Sequence, residues 1–169
     1  ILFWDINNKV IERFEPNGAN YPRELYYNPS LLDDLLRNKF TEIDEKIKYY
    51  SPSDYLPPVG FQLLESMETP KCKKIGDPNG FCAIWCTWWC YQKLKNPKVN
   101  SDKLANELIK TIRLDNKSFK NIIRNFSKNI SQIRDKYLKK YKIDINDWMS
   151  NNYSEDILNK IEKDILNLI

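Results

Sequence analysis

The stretch Gly76-Asp77-Pro78-Asn79-Gly80-Phe81-Cys82-Ala83-Ile84-Trp85 is the strongest indication of fold in this 169-residue chain. Its first five residues are typical of a tight turn, and the apolar residues that follow predict the start of a helix. We expect this helix to run from Phe81 to about Lys95 and to be central and buried, because it is apolar nearly all round. Cys82 falls in its first turn, where free N–H groups and the helix dipole favour a reactive thiolate.

The residues before this helix predict a small β-sheet and one further helix. Two β-prone runs, 1–6 and 10–14, are separated by three polar residues, which is typical of a hairpin. The short runs 47–50 and 59–63 predict additional strands. The apolar spacing within 31–40 predicts a helix that Ser30 caps.

The residues after Asn96-Pro97 predict amphipathic helices over 101–114, 118–141 and 154–168, each opened by a serine that can cap it. The predicted class is therefore α+β, a small sheet with a central buried helix followed by a helical C-terminal region. We expect an α+β domain over residues 1–97 and a helical extension packed on it over residues 98–169.

Composition narrows the classes of partner. Hydrophobic residues make up 41% of the chain, and no apolar run is long enough to span a membrane. The net charge of +4 comes from 27 basic and 23 acidic residues that are mixed along the helices, which is typical of solvated helix faces. Because no basic stripe stands out, we expect neither a membrane nor a nucleic acid as partner. The heavy use of Asn, Lys and Ile suits an AT-rich genome, such as that of a large DNA virus or a protist.

The four cysteines predict free thiols. Cys82, Cys86 and Cys90 recur every four residues and therefore stack along one helical face, whereas Cys72 lies before the turn. This spacing is not that of a zinc site, and the chain contains no histidine to complete one. We expect an intracellular protein with no metal and no cofactor.

The order of three motifs resembles a known family. Val10-Ile11-Glu12-Arg13-Phe14-Glu15-Pro16, Gly60-Phe61-Gln62 and Gly80-Phe81-Cys82 are similar to motifs of the adenovirus-protease and Ulp/SENP-like cysteine proteases, and to uncharacterised proteins of giant DNA viruses. The resemblance implies a papain-like fold in the first half of the chain. It also implies that Cys82 is the nucleophile, Gln62 an oxyanion donor and Glu15 the acidic residue that orients a histidine. That histidine would lie upstream of Ile1, and because the chain begins with Ile we expect residues to precede it.

Two main hypotheses for the function follow. In the first, the protein is a thiol hydrolase that cleaves a peptide or isopeptide bond in a viral polyprotein or a ubiquitin-like conjugate. In the alternative, it is a catalytically inactive protease-like module or a structural or interaction protein of a large DNA virus, with a protein partner. A helical nucleic-acid-packaging protein, based on the lysine-rich second half, is a third reading. The first two place the protein in the host cytoplasm or the virion.

Each candidate residue also has an ordinary structural role. Cys82 could be a core cysteine, Glu15 an exposed carboxylate at a strand end, and Gln62 a residue with an ordinary hydrogen bond.

Overall fold

The computed structural model describes residues 1–21, 28–68, 81–115 and 117–166. These residues form three strands and eight helices: β1 (Leu2–Asp5), β2 (Val10–Arg13), α1 (Pro29–Ile43), β3 (Lys48–Tyr50), α2 (Pro52–Tyr55), α3 (Phe61–Met67), α4 (Cys82–Lys95), α5 (Ser101–Leu114), α6 (Phe119–Tyr141), α7 (Ile145–Met149) and α8 (Glu155–Leu166). The chain divides into two compact units, Ile1–Arg124 and Asn125–Ile169. The predicted domain boundary after residue 97 stays a prediction.

The predicted α+β class is wrong, because most of the described residues are helical. The sheet consists of strands of four, four and three residues in the order β1-β2-β3. The predicted hairpin is present, with β1 antiparallel to β2, and β3 adds to β2 in parallel. The run 59–63 is not a strand, since α3 begins at Phe61. Phe61 and Leu64 lie three residues apart, on one side of that helix, and both are buried.

One face of the sheet packs against α1. Ile11 of β2 and Tyr49 of β3 are buried there, with Leu36 and Phe40 of α1 packed against them. A buried polar cluster joins the same elements: the Arg13 guanidinium donates to both oxygens of Asp33 at 2.7 and 2.8 Å. The Tyr49 hydroxyl donates to Asp33 Oδ1 at 2.6 Å. A charged pair buried in this way fixes α1 on the sheet, because either partner alone would be left uncompensated.

An aromatic core lies around α4. Trp89 stacks on Phe14 with ring centroids 4.9 Å apart, and Phe61 contacts Trp85 at 5.5 Å. These four side chains are almost fully inaccessible to solvent. The expectation that α4 is central and buried is wrong for part of its surface, since Cys82 at its first residue and Leu94 on the side away from the tryptophans are exposed. The tryptophans alone provide the buried face of α4.

Two of the four predicted serine caps are present. Ser118 Oγ accepts from the N–H of Asn121 at 3.1 Å, and Ser154 Oγ accepts from Ile157 at 3.4 Å. The first residues of α1 and α5 are instead preceded by asparagines as N-caps. Ser101 is therefore the first residue inside α5, and its hydroxyl is free to make a tertiary contact.

Gly18 and Gly60 hold two loops in close contact. Gly18 has φ of +117°, and a Cβ added there would lie 2.5 Å from the Pro58 carbonyl oxygen. A Cβ at Gly60 would lie 2.5 Å from the Gly18 nitrogen. A backbone hydrogen bond closes the contact, from the Gly60 N–H to the Asn17 carbonyl at 2.8 Å. Only glycine fits at either position without moving backbone.

The second unit is helical. Tyr137, Leu138 and Ile161 form its buried apolar residues. The Tyr141 hydroxyl donates to Asp164 Oδ2 at 2.6 Å, and Lys140 pairs with the same carboxylate. Within the described ranges, no helix combines the length and apolar character that crossing a membrane requires.

Candidate binding cleft

A cleft of about 380 Å³ lies on the face of the sheet opposite α1. Side chains alternate between the two faces of a strand, and residues paired across strands share a face. Phe3 of β1 pairs with Glu12 of β2, which pairs with Tyr50 of β3, so these three side chains share the cleft face. The opposite side of the cleft is formed by the end of α4, residues 97–100 and the first turn of α5. Ligand sites in proteins usually enclose ~300–1,000 Å³, so this cleft suits a small group.

The cleft contains a buried cluster of three polar side chains. Ser101 Oγ donates to Glu12 Oε1 at 2.6 Å. Lys93 Nζ lies 2.5 Å from Ser101 Oγ and 3.2 Å from Glu12 Oε1. The exposed fractions of the Lys93 and Glu12 side chains are 12% and 9%. The cluster therefore joins β2 to α4 and α5, which are 81 or more residues away from Glu12 in the sequence.

One oxygen of this cluster has acceptor capacity left. Glu12 Oε2 is buried and receives no hydrogen bond, although Lys93 Nζ lies 3.2 Å from it as an ion pair. The geometry suits attraction between the charges without a directed N–H···O bond. Lys93 Nζ also lies 5.8 Å from the centre of the Phe3 ring, a cation–π distance. Glu12 Oε2 is therefore a buried acceptor whose hydrogen-bonding capacity no described donor uses.

The rim of the cleft is acidic. Its exposed or half-buried charged residues are three aspartates and one lysine: Asp5, Asp54, Asp102 and Lys98. Three carboxylates against one ammonium group give the rim a formal net charge of −2. Because the buried Glu12 and Lys93 neutralise each other, the rim sets the sign of the field at the entrance.

Local contacts set the protonation of two lining residues. The side chain and backbone of Asn8 donate to Asp5, which lowers the pKa of that carboxyl below its usual 3.8 and keeps it ionised. Burial raises the pKa of Tyr55 well above 10.0. The Tyr55 hydroxyl donates to the Arg13 carbonyl at 3.0 Å, so this ring is a fixed, neutral wall.

The buried polar side chains of the cleft are engaged with one another. The Lys93 ammonium group pairs with Glu12 and donates to Ser101. Ser101 donates its proton to the same carboxylate and accepts from the ammonium group, so its hydroxyl is already used. What remains available to a ligand is the acidic rim, the aromatic side chains and one oxygen of Glu12.

Cys82 lies where the sequence predicts it, at the first residue of α4, and its side chain is exposed. Burial raises the pKa of Cys86 and of Cys90, which follow Cys82 at four-residue intervals along α4. Cys72 and the turn at 76–80, with Asp77 and Asn79, lie outside the described residues. The expectation of no metal and no cofactor stays a prediction.

Glu15 and Gln62 lie on two neighbouring segments. Glu15 Oε1 accepts from the backbone N–H and the side-chain amide of Asn17 at 3.1 and 3.0 Å, so it closes a turn. Gln62 is on α3, where its N–H donates to the Pro16 carbonyl at 2.9 Å and its Oε1 is buried without a hydrogen-bond partner. Burial raises the pKa of the Cys86 thiol most, and the Glu15 carboxylate raises it further. No observation tests the catalytic roles predicted for Cys82, Glu15 and Gln62.

The residues of the cleft were not predicted from the sequence. Glu12 stands inside the quoted motif and Ser101 has a predicted capping role, but 89 residues separate them. A charged residue within an apolar strand was the available signal, since Glu12 follows Ile11 on β2.

Comparison with known proteins finds a marked similarity to a viral protein. The chain is 46% identical over 174 residues to the putative ankyrin repeat protein L371 of Acanthamoeba polyphaga mimivirus. The alignment covers 96% of this chain, and the chain spans 23% of the length of that relative. No family profile matches the chain. No solved structure matches it.

This similarity overturns the resemblance to cysteine proteases. The relative is named as an ankyrin repeat protein and not as an adenovirus-protease or Ulp/SENP-like enzyme. The papain-like fold and the thiol-hydrolase function that this resemblance implied are therefore also wrong. The motifs that suggested them were short, and Glu15 and Gln62 have structural contacts of their own. The expected origin in a large DNA virus agrees with the source of the relative.

Proposed function

We propose that the chain is a protein-interaction module that binds an extended segment of a partner protein along β1. The observation that carries this proposal is an edge strand with an exposed apolar side. β1 is the outer strand of the sheet and pairs with β2. No strand among the described residues pairs with its other edge, and this free edge offers backbone N–H and C=O groups to another strand.

The side chains of β1 support this assignment. Leu2 and Trp4 point to the same face and are 43% and 54% exposed, and Ile6, just beyond the strand, is 69% exposed. Proteins normally protect an edge strand with prolines, lysines or inward charges, and β1 has none of the first two. Exposed apolar residues in a row are typical of an interaction site. A partner strand would cover them.

The relative supports the same class of function. Ankyrin repeats stack into solenoids whose extended surfaces are used for binding, so a protein named for them is expected to act through contacts with other macromolecules. For this chain we infer a protein partner from that name and from the apolar edge together. This interpretation corresponds to the alternative hypothesis of an interaction protein of a large DNA virus.

A selection with displayed random peptides tests the proposal. The purified chain is used as bait, and the selected peptides are measured against Trp4→Glu, which places a charge in the centre of the apolar row. Leu31→Glu is the matched control, because it places the same charge at a side chain that is 67% exposed on α1 rather than on β1. We expect peptides whose binding is lost in Trp4→Glu and kept in Leu31→Glu. Peptides that bind both variants equally, or no specific peptides, would refute the proposal.

A further inference from the structure

We propose that the cleft receives an arginine side chain from the segment that binds β1. This inference rests on the proposed function, because β1 contributes both the free edge and two residues of the cleft. Phe3 and Asp5 face the cleft, whereas Leu2 and Trp4 face the other side. A strand added to β1 would therefore place alternate side chains beside the cleft and beside the apolar row.

Charge complementarity selects a cation as the occupant. Asp5, Asp54 and Asp102 surround the entrance with a formal net charge of −2 once Lys98 is included. Asp102 is exposed on the first turn of α5, so its carboxylate can turn towards a ligand. An anionic ligand would be repelled by these rim carboxylates, and an apolar one would strip water from them without compensation.

The interior favours a planar cation over a compact one. Tyr50 is 40% exposed and lines the cleft together with the ring of Phe3. A guanidinium group stacks on such rings and donates several hydrogen bonds in a fixed plane. Glu12 lines the cleft, and its buried Oε2, which is the ion-pair partner of Lys93, receives no hydrogen bond. It is therefore a deep acceptor for one of those N–H groups, and the rim carboxylates accept the others.

The volume and the internal contacts limit what else can enter. A space of about 380 Å³ holds a side chain and not a folded element. Lys93 already occupies the inner part, where it pairs with Glu12 and lies over Phe3. An entering arginine thus reaches Glu12 from the open side and uses Tyr50 as its stacking surface.

The test compares one peptide in two forms. A peptide selected on the chain, with an arginine that recurs among the selected sequences, is synthesised again with citrulline at that position. Citrulline keeps the planar shape and removes the charge. We expect titration calorimetry to show about 10-fold weaker binding for the citrulline form. Equal affinities of the two forms, or of a form with lysine there, would overturn the arginine assignment.

Variants of the rim locate the effect. The arginine preference is the ratio of the affinities of the arginine and citrulline peptides. In Asp5→Asn/Asp102→Asn this ratio should fall by about 5-fold or more, because both substitutions keep the side-chain shape and remove the charge. Glu45→Gln/Glu107→Gln removes two exposed charges of the first unit that do not line the cleft, and it should leave the preference unchanged. A loss of the arginine preference in both double variants would assign the effect to the net charge of the chain and refute the proposed arginine site in the cleft.

The outcomes separate the two proposals. If Trp4→Glu abolishes binding while arginine and citrulline peptides bind equally, the edge-strand function stands and the arginine cleft is refuted. If the selected peptides bind independently of Trp4, the proposed function fails first. If sedimentation instead shows a dimer of the chain that Asp5→Asn/Asp102→Asn dissociates, the occupant is a second copy, and the arginine of a foreign partner is excluded.

Discussion

Replacing Lys93 by methionine should destabilise the first unit through the buried partner that it leaves behind. Glu12 would keep the hydrogen bond from Ser101 at 2.6 Å, but it would lose the cation that now lies 3.2 Å from it. Breaking a buried pair by removing one partner costs about 3–5 kcal/mol, and we expect about 3 because the cleft admits water. That is a large part of the roughly 5–15 kcal/mol by which a domain is stable.

The assay is equilibrium unfolding in urea, followed by tryptophan fluorescence. Trp85, Trp88 and Trp89 are buried and report directly on the core of this unit. A loss of about 3 kcal/mol corresponds to a drop in Tm of about 6–12 °C for a chain of this size. The double variant Glu12→Gln/Lys93→Met should cost about 1–3 kcal/mol less than the sum of the two single variants, since it leaves no uncompensated charge.

An exposed pair provides the control. Lys103 and Glu107 lie 3.8 Å apart on α5, with side chains 68% and 57% exposed. Lys103→Met should change stability by less than about 0.5 kcal/mol. The reasoning is refuted if Lys93→Met costs no more than Lys103→Met, or if the effects of Glu12→Gln and Lys93→Met simply add.

Three further predictions concern other parts of the first unit. Gly18→Ala should destabilise by more than about 1 kcal/mol, because Gly18 has positive φ and its Cβ would meet the Pro58 oxygen; Asn7→Ala, at an exposed position of the hairpin turn, is the comparison in thermal unfolding. Burial, and then the hydrogen bond to Asp33, raises the pKa of Tyr49 above 10.0. Because the folded state holds this proton more tightly than the unfolded chain does, the stabilisation is complete below the unfolded-state pKa of ~10 and declines as the pH rises above it. Urea midpoints should therefore fall more steeply in the wild type than in Tyr49→Phe between pH ~9 and ~11. Iodoacetamide at neutral pH should modify exposed Cys82 faster than Cys86 and Cys90, whose pKa values burial raises; peptide mapping by mass spectrometry that shows equal rates would contradict this.

Local patterns in the sequence predict several elements of this fold well. The alternation and polar gap of residues 1–14 predict the hairpin, and the amphipathic spacing with Ser118 predicts α6. α4 begins at Cys82, within a residue of its predicted start. These features depend on interactions between residues close in the sequence, which periodicity and capping residues report.

Short apolar runs and distant contacts are less predictable. The run 59–63 fits a strand or a buried helix equally well, and only its packing on the core decides for α3. The cleft depends on Glu12 meeting Lys93 and Ser101, which are 81 and 89 residues away. No local pattern encodes such pairings. The same limit explains the mistaken protease assignment, because three short motifs in the right order do not specify a tertiary site.

The most direct test of the proposed interface is a titration of the isotopically labelled chain with a selected arginine peptide, followed by amide NMR shifts. We predict the largest shifts at β1, at residues 97–102 and at Tyr50, which together form the free edge and the cleft. We also predict little change at the exposed end of α4 around Cys82. Shifts centred on Cys82 with β1 unaffected would contradict both proposals.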